Sequence, residues 1–230
     1  MLLLFLQAVI LIPVTLLPIL NPLATAPIYA SLLGNISNKA QARIARQVAI
    51  NCWFLLIAAI FIGSHVLNFF GISLPIVRVA GGIIVAAAGW GLLGNKGTDE
   101  IQTQVASKVT VNADADWSDE EYKMRSFYPV TFPLTVGPGT IAASIALGAN
   151  APTRLLDWMR SMGSAALGSL LTALVIYLCY RNAHRLVNAL GRLGTLVLLR
   201  LSAFILLCIG IEIFWHGIMG LLKESGIAVG

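Results

Sequence analysis

Long apolar stretches, almost without charge, alternate with short polar joins along the chain. No Asp, Glu, Lys, Arg or His occurs before Lys39, and only His65 and Arg78 interrupt the run from Val48 to Asn95. About 20 consecutive apolar residues let a helix cross a hydrocarbon core of roughly 30 Å. The pattern predicts six spans, over residues 2–33, 48–70, 76–93, 127–147, 161–180 and 196–222. The first is too long for one plain helix and holds Pro13, Pro18, Pro22 and Pro27; the fourth is interrupted by Pro129, Pro133 and Pro138. Between spans three and four lies the one long polar stretch, 96–125, with seven acids against four bases. Ser118 followed by Glu121 fits a capping box, so a helix is expected to restart there and the remainder to form a loop.

Composition sharpens this picture. Hydrophobic residues make up 58% of the chain and charged ones 11%, against about 25% charged in a soluble domain. The net charge of +5 does not point to nucleic acid, because the basic residues sit in joins between apolar runs and form no stripe. Ten of them fall on the side of the 1–2, 3–4 and 5–6 joins and three on the other side. That bias predicts a cytoplasmic 96–125 loop and both termini on the periplasmic or extracellular side. The amino terminus has no basic leader region, and its one Ala-x-Ala site precedes Pro27, so an uncleaved first helix is expected. Cys52, Cys179 and Cys208 lie in three separate spans without metal-ligand spacing, which reads as apolar packing. No metal, cofactor or enzymatic centre is expected, since no metalloprotease, phosphate-loop or nucleophile motif is present.

The chain contains an internal echo. Pro22-Leu23-Ala24-Thr25-Ala26-Pro27 in span one matches Pro133-Leu134-Thr135-Val136-Gly137-Pro138 in span four, 111 positions later. Val77-Arg78-Val79-Ala80 opens span three as Leu199-Arg200-Leu201-Ser202 opens span six, 122 positions later. The expected architecture is therefore all-α and membrane-embedded, with a first three-helix repeat over 1–95, a polar loop over 96–125 and a second repeat over 126–230. Three spans per repeat is an odd number, so the halves would be inverted, as in many secondary transporters.

Paired prolines in mid-membrane carry the chemistry. Each lacks an N–H and frees a carbonyl one turn earlier, and irregular backbone at that depth must be buried or line a cavity. Asn21-Pro22 and Gly137-Pro138 both read as a helix N-cap followed by the first helical residue. Each such break starts a half-helix with positive N-terminal character. Candidate solute-binding residues are Asn21, Pro22, Thr25, Pro27, Thr135, Gly137, Pro138, Gly139 and Thr140, with Gly139 admitting close approach to a ligand. Glu212 is the sole acid inside a span and His216 follows one turn later on the same face; the pair reads as a proton relay or as a structural contact. Arg78 and Arg200 complete the candidate coupling or gating residues, the alternative being that both snorkel to the interface. The small residues Ala80, Gly81, Gly82, Ala86 and Gly89 in span three, and Gly163, Ser164 and Gly168 in span five, read as close helix packing.

These residues carry a resemblance. Asn21-Pro22-Leu23-x-x-x-Pro27, Arg78-Val79-Ala80-Gly81-Gly82 and Pro133-Leu134-Thr135-x-Gly137-Pro138-Gly139-Thr140-Ile141-Ala142 resemble the MarC family, also called the neutral amino acid transporter family. The likeness extends over essentially the whole chain, most weakly in 96–125. It implies six spans, a bacterial inner-membrane location and, for some members, transport of small neutral amino acids such as glycine and alanine. The expected function is a secondary transporter working by alternating access, with lipid as its surroundings and a proton or sodium ion as the coupling partner. A metabolite or drug exporter, or a membrane tolerance factor that transports nothing, is the alternative.

Overall fold

The computed structural model describes residues 2–34, 36–94, 119–149 and 155–226. Helix α1 (Leu2–Leu20) leads through Asn21 into α2 (Pro22–Leu33), and α3 (Asn38–Phe69) is followed by α4 (Leu74–Leu93). A short α5 (Asp119–Arg125) passes into an irregular wide coil, Ser126–Thr135, and then α6 (Pro138–Gly148), α7 (Leu155–Arg181) and α8 (Ala183–Glu224). No strand occurs among the described residues. The helical restart expected near Ser118 is met by α5. Residues 95–118, most of the expected polar loop, lie outside the described residues.

Four helices are long and apolar enough to cross a membrane unaided: Asn38–Phe69, Leu74–Leu93, Arg160–Arg181 and Leu193–Glu224. Two bent pairs bring the number to six when each is counted as one span. Phe5–Leu20 and Pro22–Leu33 meet at 50°, and Tyr122–Thr135 and Pro138–Gly148 meet at 74°. Apolar side chains crowd the outside as well as the core: Val14, Phe54, Ile62, Ile83, Leu174, Phe204 and Ile211 are exposed, while Leu16, Leu20, Leu56 and Ile176 are fully buried. Water would penalise such a surface, and lipid does not. The chain is a multi-pass, all-helical integral membrane protein.

Backbone signals set the helix limits. Ser37 caps α3 by accepting a hydrogen bond from the Ala40 amide (3.2 Å), and Gly71 at φ 66° turns the chain towards α4. The sixth span was expected from Leu196. The segment able to cross a membrane begins at Leu193, close to that reading; helix α8 itself extends back to Ala183 through a kink at Gly191 (φ 63°, ψ −176°), a conformation open to glycine and strained in other residues.

Glycine decides the packing. Gly82 faces the Phe214 amide and Gly210 carbonyl, Gly89 the Ala203 carbonyl and Leu207 amide, and Gly217 the Pro75 carbonyl and Val79 amide. Helices α4 and α8 therefore run antiparallel with backbones touching, along a seam where added β-carbons would collide. The small face expected on span three has α8 as its main partner. Gly81 belongs to a different contact, with Ala142 of α6. Gly168 in α7 likewise sits against the Val9 carbonyl and Ile12 of α1. Helix α3 packs on α6 and α7 and closes the other side of the bundle.

Candidate solute site between two broken helices

The first break falls at Asn21, whose dihedrals are left-handed (φ 46°, ψ 57°). Asparagine is among the few non-glycine residues that enter this region readily. Its amide still bonds the Leu17 carbonyl (2.8 Å), so α1 is intact up to the break. Pro22 then opens α2, while the Asn21 carboxamide makes no capping bond. At the second break Val136 (φ −103°, ψ 90°) and Gly137 (φ −85°, ψ 173°) are extended, and Pro138 opens α6. The N-cap and first-residue roles expected at Asn21-Pro22 and Gly137-Pro138 are those observed. The breaks do not coincide under the proline-motif alignment, because one precedes the first proline of its motif and the other precedes the second.

Just upstream of the second break the chain is wound widely, and threonine hydroxyls reach back five residues. Thr131 Oγ1 donates to the Ser126 carbonyl and Thr135 Oγ1 to the Val130 carbonyl, both at 2.7 Å. Part of the main-chain acceptor capacity exposed by the irregular backbone is met this way, as burial requires.

The breaks share one cavity of about 320 Å³, at the lower end of the roughly 300–1,000 Å³ common for small-molecule sites. Asn21 and Thr25 line it from the first broken helix; Thr135, Gly137, Pro138, Gly139 and Thr140 line it from the second. Val85, Ala88 and Leu92 of α4 and Leu199 and Leu206 of α8 form its apolar wall. Pro22 and Pro27, expected at the site, are buried and do not line the cavity; their part is to shape α2. At the start of α6 the Ile141 amide bonds Gly137 O (3.1 Å). The Gly139 and Thr140 amides precede any intrahelical partner. They give the cavity a patch of positive potential beside apolar walls. A β-carbon on Gly139 would collide with the Val85 side chain, so glycine is what allows α6 to approach α4 here.

One residue ties both breaks together, and sequence reasoning missed it. Tyr180 of α7 is fully buried; its hydroxyl lies 2.8 Å from Thr135 Oγ1 and donates to Thr25 Oγ1 at 3.0 Å. Thr25 in turn donates to the Asn21 carbonyl at 3.2 Å. The Tyr180 ring stacks on Tyr29 of α2 with centroids 4.3 Å apart. Gln41 Nε2 donates to the Tyr180 carbonyl (3.0 Å), and the Tyr29 hydroxyl donates to the Gln41 carbonyl (3.2 Å). Tyr180 sits at the end of an apolar run, where an interface anchor is the ordinary reading; nothing local marks its partners, which are 45 and 155 positions away. Asn51, another polar residue within a span, donates through Nδ2 to Thr131 Oγ1 at 3.3 Å.

The four coupling or gating candidates divide. Arg200 donates to the Leu93 carbonyl (2.6 Å), meeting the last turn of α4, where a cation suits the helix dipole. Arg78, Glu212 and His216 line a second cavity of about 470 Å³. His216 Nδ1 lies 3.3 Å from Glu212 Oε1 and 2.9 Å from the Glu212 carbonyl. Both side chains are exposed, 61% for His216 and 70% for Glu212. The pair is thus placed on a cavity wall, away from the hydroxyls of the first site.

Comparison with known proteins identifies the family. The chain is 31% identical over 212 residues to the inner membrane protein MarC of Escherichia coli O1:K1, covering 91% of this chain and 93% of that protein. It is 30% identical, with the same coverage, to the inner membrane protein MarC of Salmonella paratyphi A and to that of Salmonella typhimurium. No solved structure matches. The family model described as MarC family integral membrane protein matches residues 6–222. With its proline-broken helices inside that matched length, the chain belongs to the MarC family of multi-pass inner-membrane proteins.

Proposed function

We propose that the protein is a secondary transporter of small neutral solutes, with small amino acids such as glycine and alanine as its substrates. The observation that carries this reading is the meeting of two interrupted helices at one mostly apolar cavity. The α-carboxylate would face the Gly139 and Thr140 amides, and the ammonium the Asn21 carboxamide oxygen and the Thr25 and Thr135 hydroxyl oxygens. Charged pocket residues are unnecessary when main-chain dipoles supply the recognition. Two inverted repeats, with both termini periplasmic, fit the antiparallel α4–α8 seam and the excess of basic residues on one side, and make alternating access the natural cycle.

Purified protein reconstituted into liposomes should accumulate radiolabelled glycine and alanine against an imposed proton or sodium gradient. Gly139→Leu should abolish uptake while the protein still inserts and remains monodisperse. Uptake equal to empty liposomes across a panel of neutral amino acids, under either gradient, would overturn the proposal, as would unchanged uptake by Gly139→Leu.

A further inference from the structure

The second cavity carries its own chemistry. It lies towards the end of the bundle that holds the start of α4 and the last part of α8, contributed by Arg78 and His216, with Leu11 and Thr15 from the second half of α1 on its wall. The first cavity opens towards the other end, reached through Leu92 and Leu199. Ile19 of α1 lines both. On α6 the wall between them is one turn thick: Gly139 and Thr140 face the first cavity, Ala142 and Ala143 the second. The chambers therefore lie in line through the bundle, separated by Ile19 and by the contacts of Gly139 with Val85 and of Gly81 with Ala142.

Charges set the second chamber apart. Glu212 lies twelve residues before the end of α8, about 18 Å along the axis. A carboxylate at that depth needs water or a partner; Glu212 has His216 at 3.3 Å and keeps 70% of its side chain accessible. His216 occupies one region of the Glu212 carboxylate, which retains further acceptor sites. Across the chamber Arg78 forms no hydrogen bond or ion pair with another described residue, unlike its counterpart Arg200. A guanidinium and a carboxylate from two helices thus line one open chamber whose floor is alanine.

From this we infer a second solute site, on the terminal side of the first, that holds a small zwitterion with its carboxylate on Arg78 and its ammonium on Glu212. It rests on the transport reading above and adds a waiting position in line with the central site, which strips solute from water before it passes Ile19. Arginine suits the planar carboxylate through paired N–H donors, and the opposed charges select a zwitterion over a simple anion or cation.

Equilibrium binding of radiolabelled glycine to the detergent-purified protein tests this. Wild type should bind two equivalents. Arg78→Gln and Glu212→Gln should each weaken one of them at least ten-fold, and Gly139→Leu should remove only the other. Gel filtration establishes that each variant is folded, and the two vestibule variants are independent of each other. A single equivalent in wild type, lost in Gly139→Leu and untouched in both vestibule variants, would overturn the second site and leave the transport reading standing. No glycine bound by wild type would overturn both. A chamber that bound O-phosphoethanolamine while excluding glycine would be a lipid-headgroup site, and would also overturn the inference.

Discussion

Replacing Tyr180 by phenylalanine removes one oxygen and keeps the ring that stacks on Tyr29. The hydroxyl links Thr25 and Thr135 at 3.0 and 2.8 Å, so the substitution breaks two contacts that join the two broken helices. Side-chain hydrogen bonds inside membrane proteins average about 0.6 kcal/mol each, with a maximum near 1.7. One to two such bonds place the loss at about 0.6–2 kcal/mol, equivalent to roughly a three- to thirty-fold change in an equilibrium constant. Three hydroxyl protons serve four contacts in this network: Thr25 to Asn21, Tyr180 to Thr25, and Thr135 to either Tyr180 or Val130. Removing Tyr180's hydroxyl leaves Thr135 its Val130 carbonyl and costs Thr25 its donor. The expected phenotype is therefore weaker solute binding with a modest fall in thermal midpoint. Glycine-dependent thermal stabilisation measures the first, and unfolding without solute measures the second. A double-mutant cycle with Thr135→Val should return a coupling of about 0.5 kcal/mol or more. The Tyr177→Phe control, whose hydroxyl accepts from Arg181 on the exposed face, should leave binding intact. Unchanged glycine affinity in Tyr180→Phe, together with zero coupling to Thr135, would refute the claim that this hydroxyl holds the site in register.

Three further outcomes follow from close contacts and backbone dihedrals. Gly139→Ala should reduce glycine uptake several-fold because its β-carbon meets Val85, and Val85→Ala in the same chain should restore most of it. Gly82→Ala should lower stability by about 1–3 kcal/mol, since the added carbon meets the backbone of Phe214 and Gly210. Gly91→Ala in the same helix, where the β-carbon finds open space, should raise stability by about 0.5–1 kcal/mol; chemical denaturation in mild detergent distinguishes the signs. Asn21→Gly should keep the thermal midpoint and lose glycine affinity, whereas Asn21→Val should lose both, because a β-branched residue in the left-handed region is strained by about 1–3 kcal/mol.

The sequence was most informative where physics is local. Apolar run lengths give the spans, and Asn21-Pro22 and Gly137-Pro138 mark the half-helix starts. Proline alone is a poor guide to a break: Pro13, Pro18 and Pro27 all sit inside continuous helix. The residue before the proline carries the departure: left-handed Asn21 and extended Gly137 at the half-helix starts, and extended Tyr128 and Phe132 before Pro129 and Pro133 in the wide coil. Five of the residues that the second broken helix contributes, Thr135, Gly137, Pro138, Gly139 and Thr140, were legible as a cluster because they flank Gly137-Pro138. Tyr180 was not, because a buried hydroxyl's role depends on partners that only the packed bundle brings near. Nor was the separation of Arg78, Glu212 and His216 from Arg200. The two arginines occupy matching positions in the internal echo, yet Arg200 meets a helix end while Arg78 lines an open hollow.

The glycine seam between α4 and α8 limits how the molecule can move. Interlocked main chains have no side-chain cushion over which to slide, so these two helices must travel as a single beam. In the proposed transport cycle, exchange of access between the two ends would then fall to α1, α2 and α6 rocking against that beam, pivoting where Asn21 and Gly137 already bend. Spin labels placed on the lipid faces of α4 and α8 would keep a fixed separation throughout such a cycle, while a label on α6 would change its distance to both.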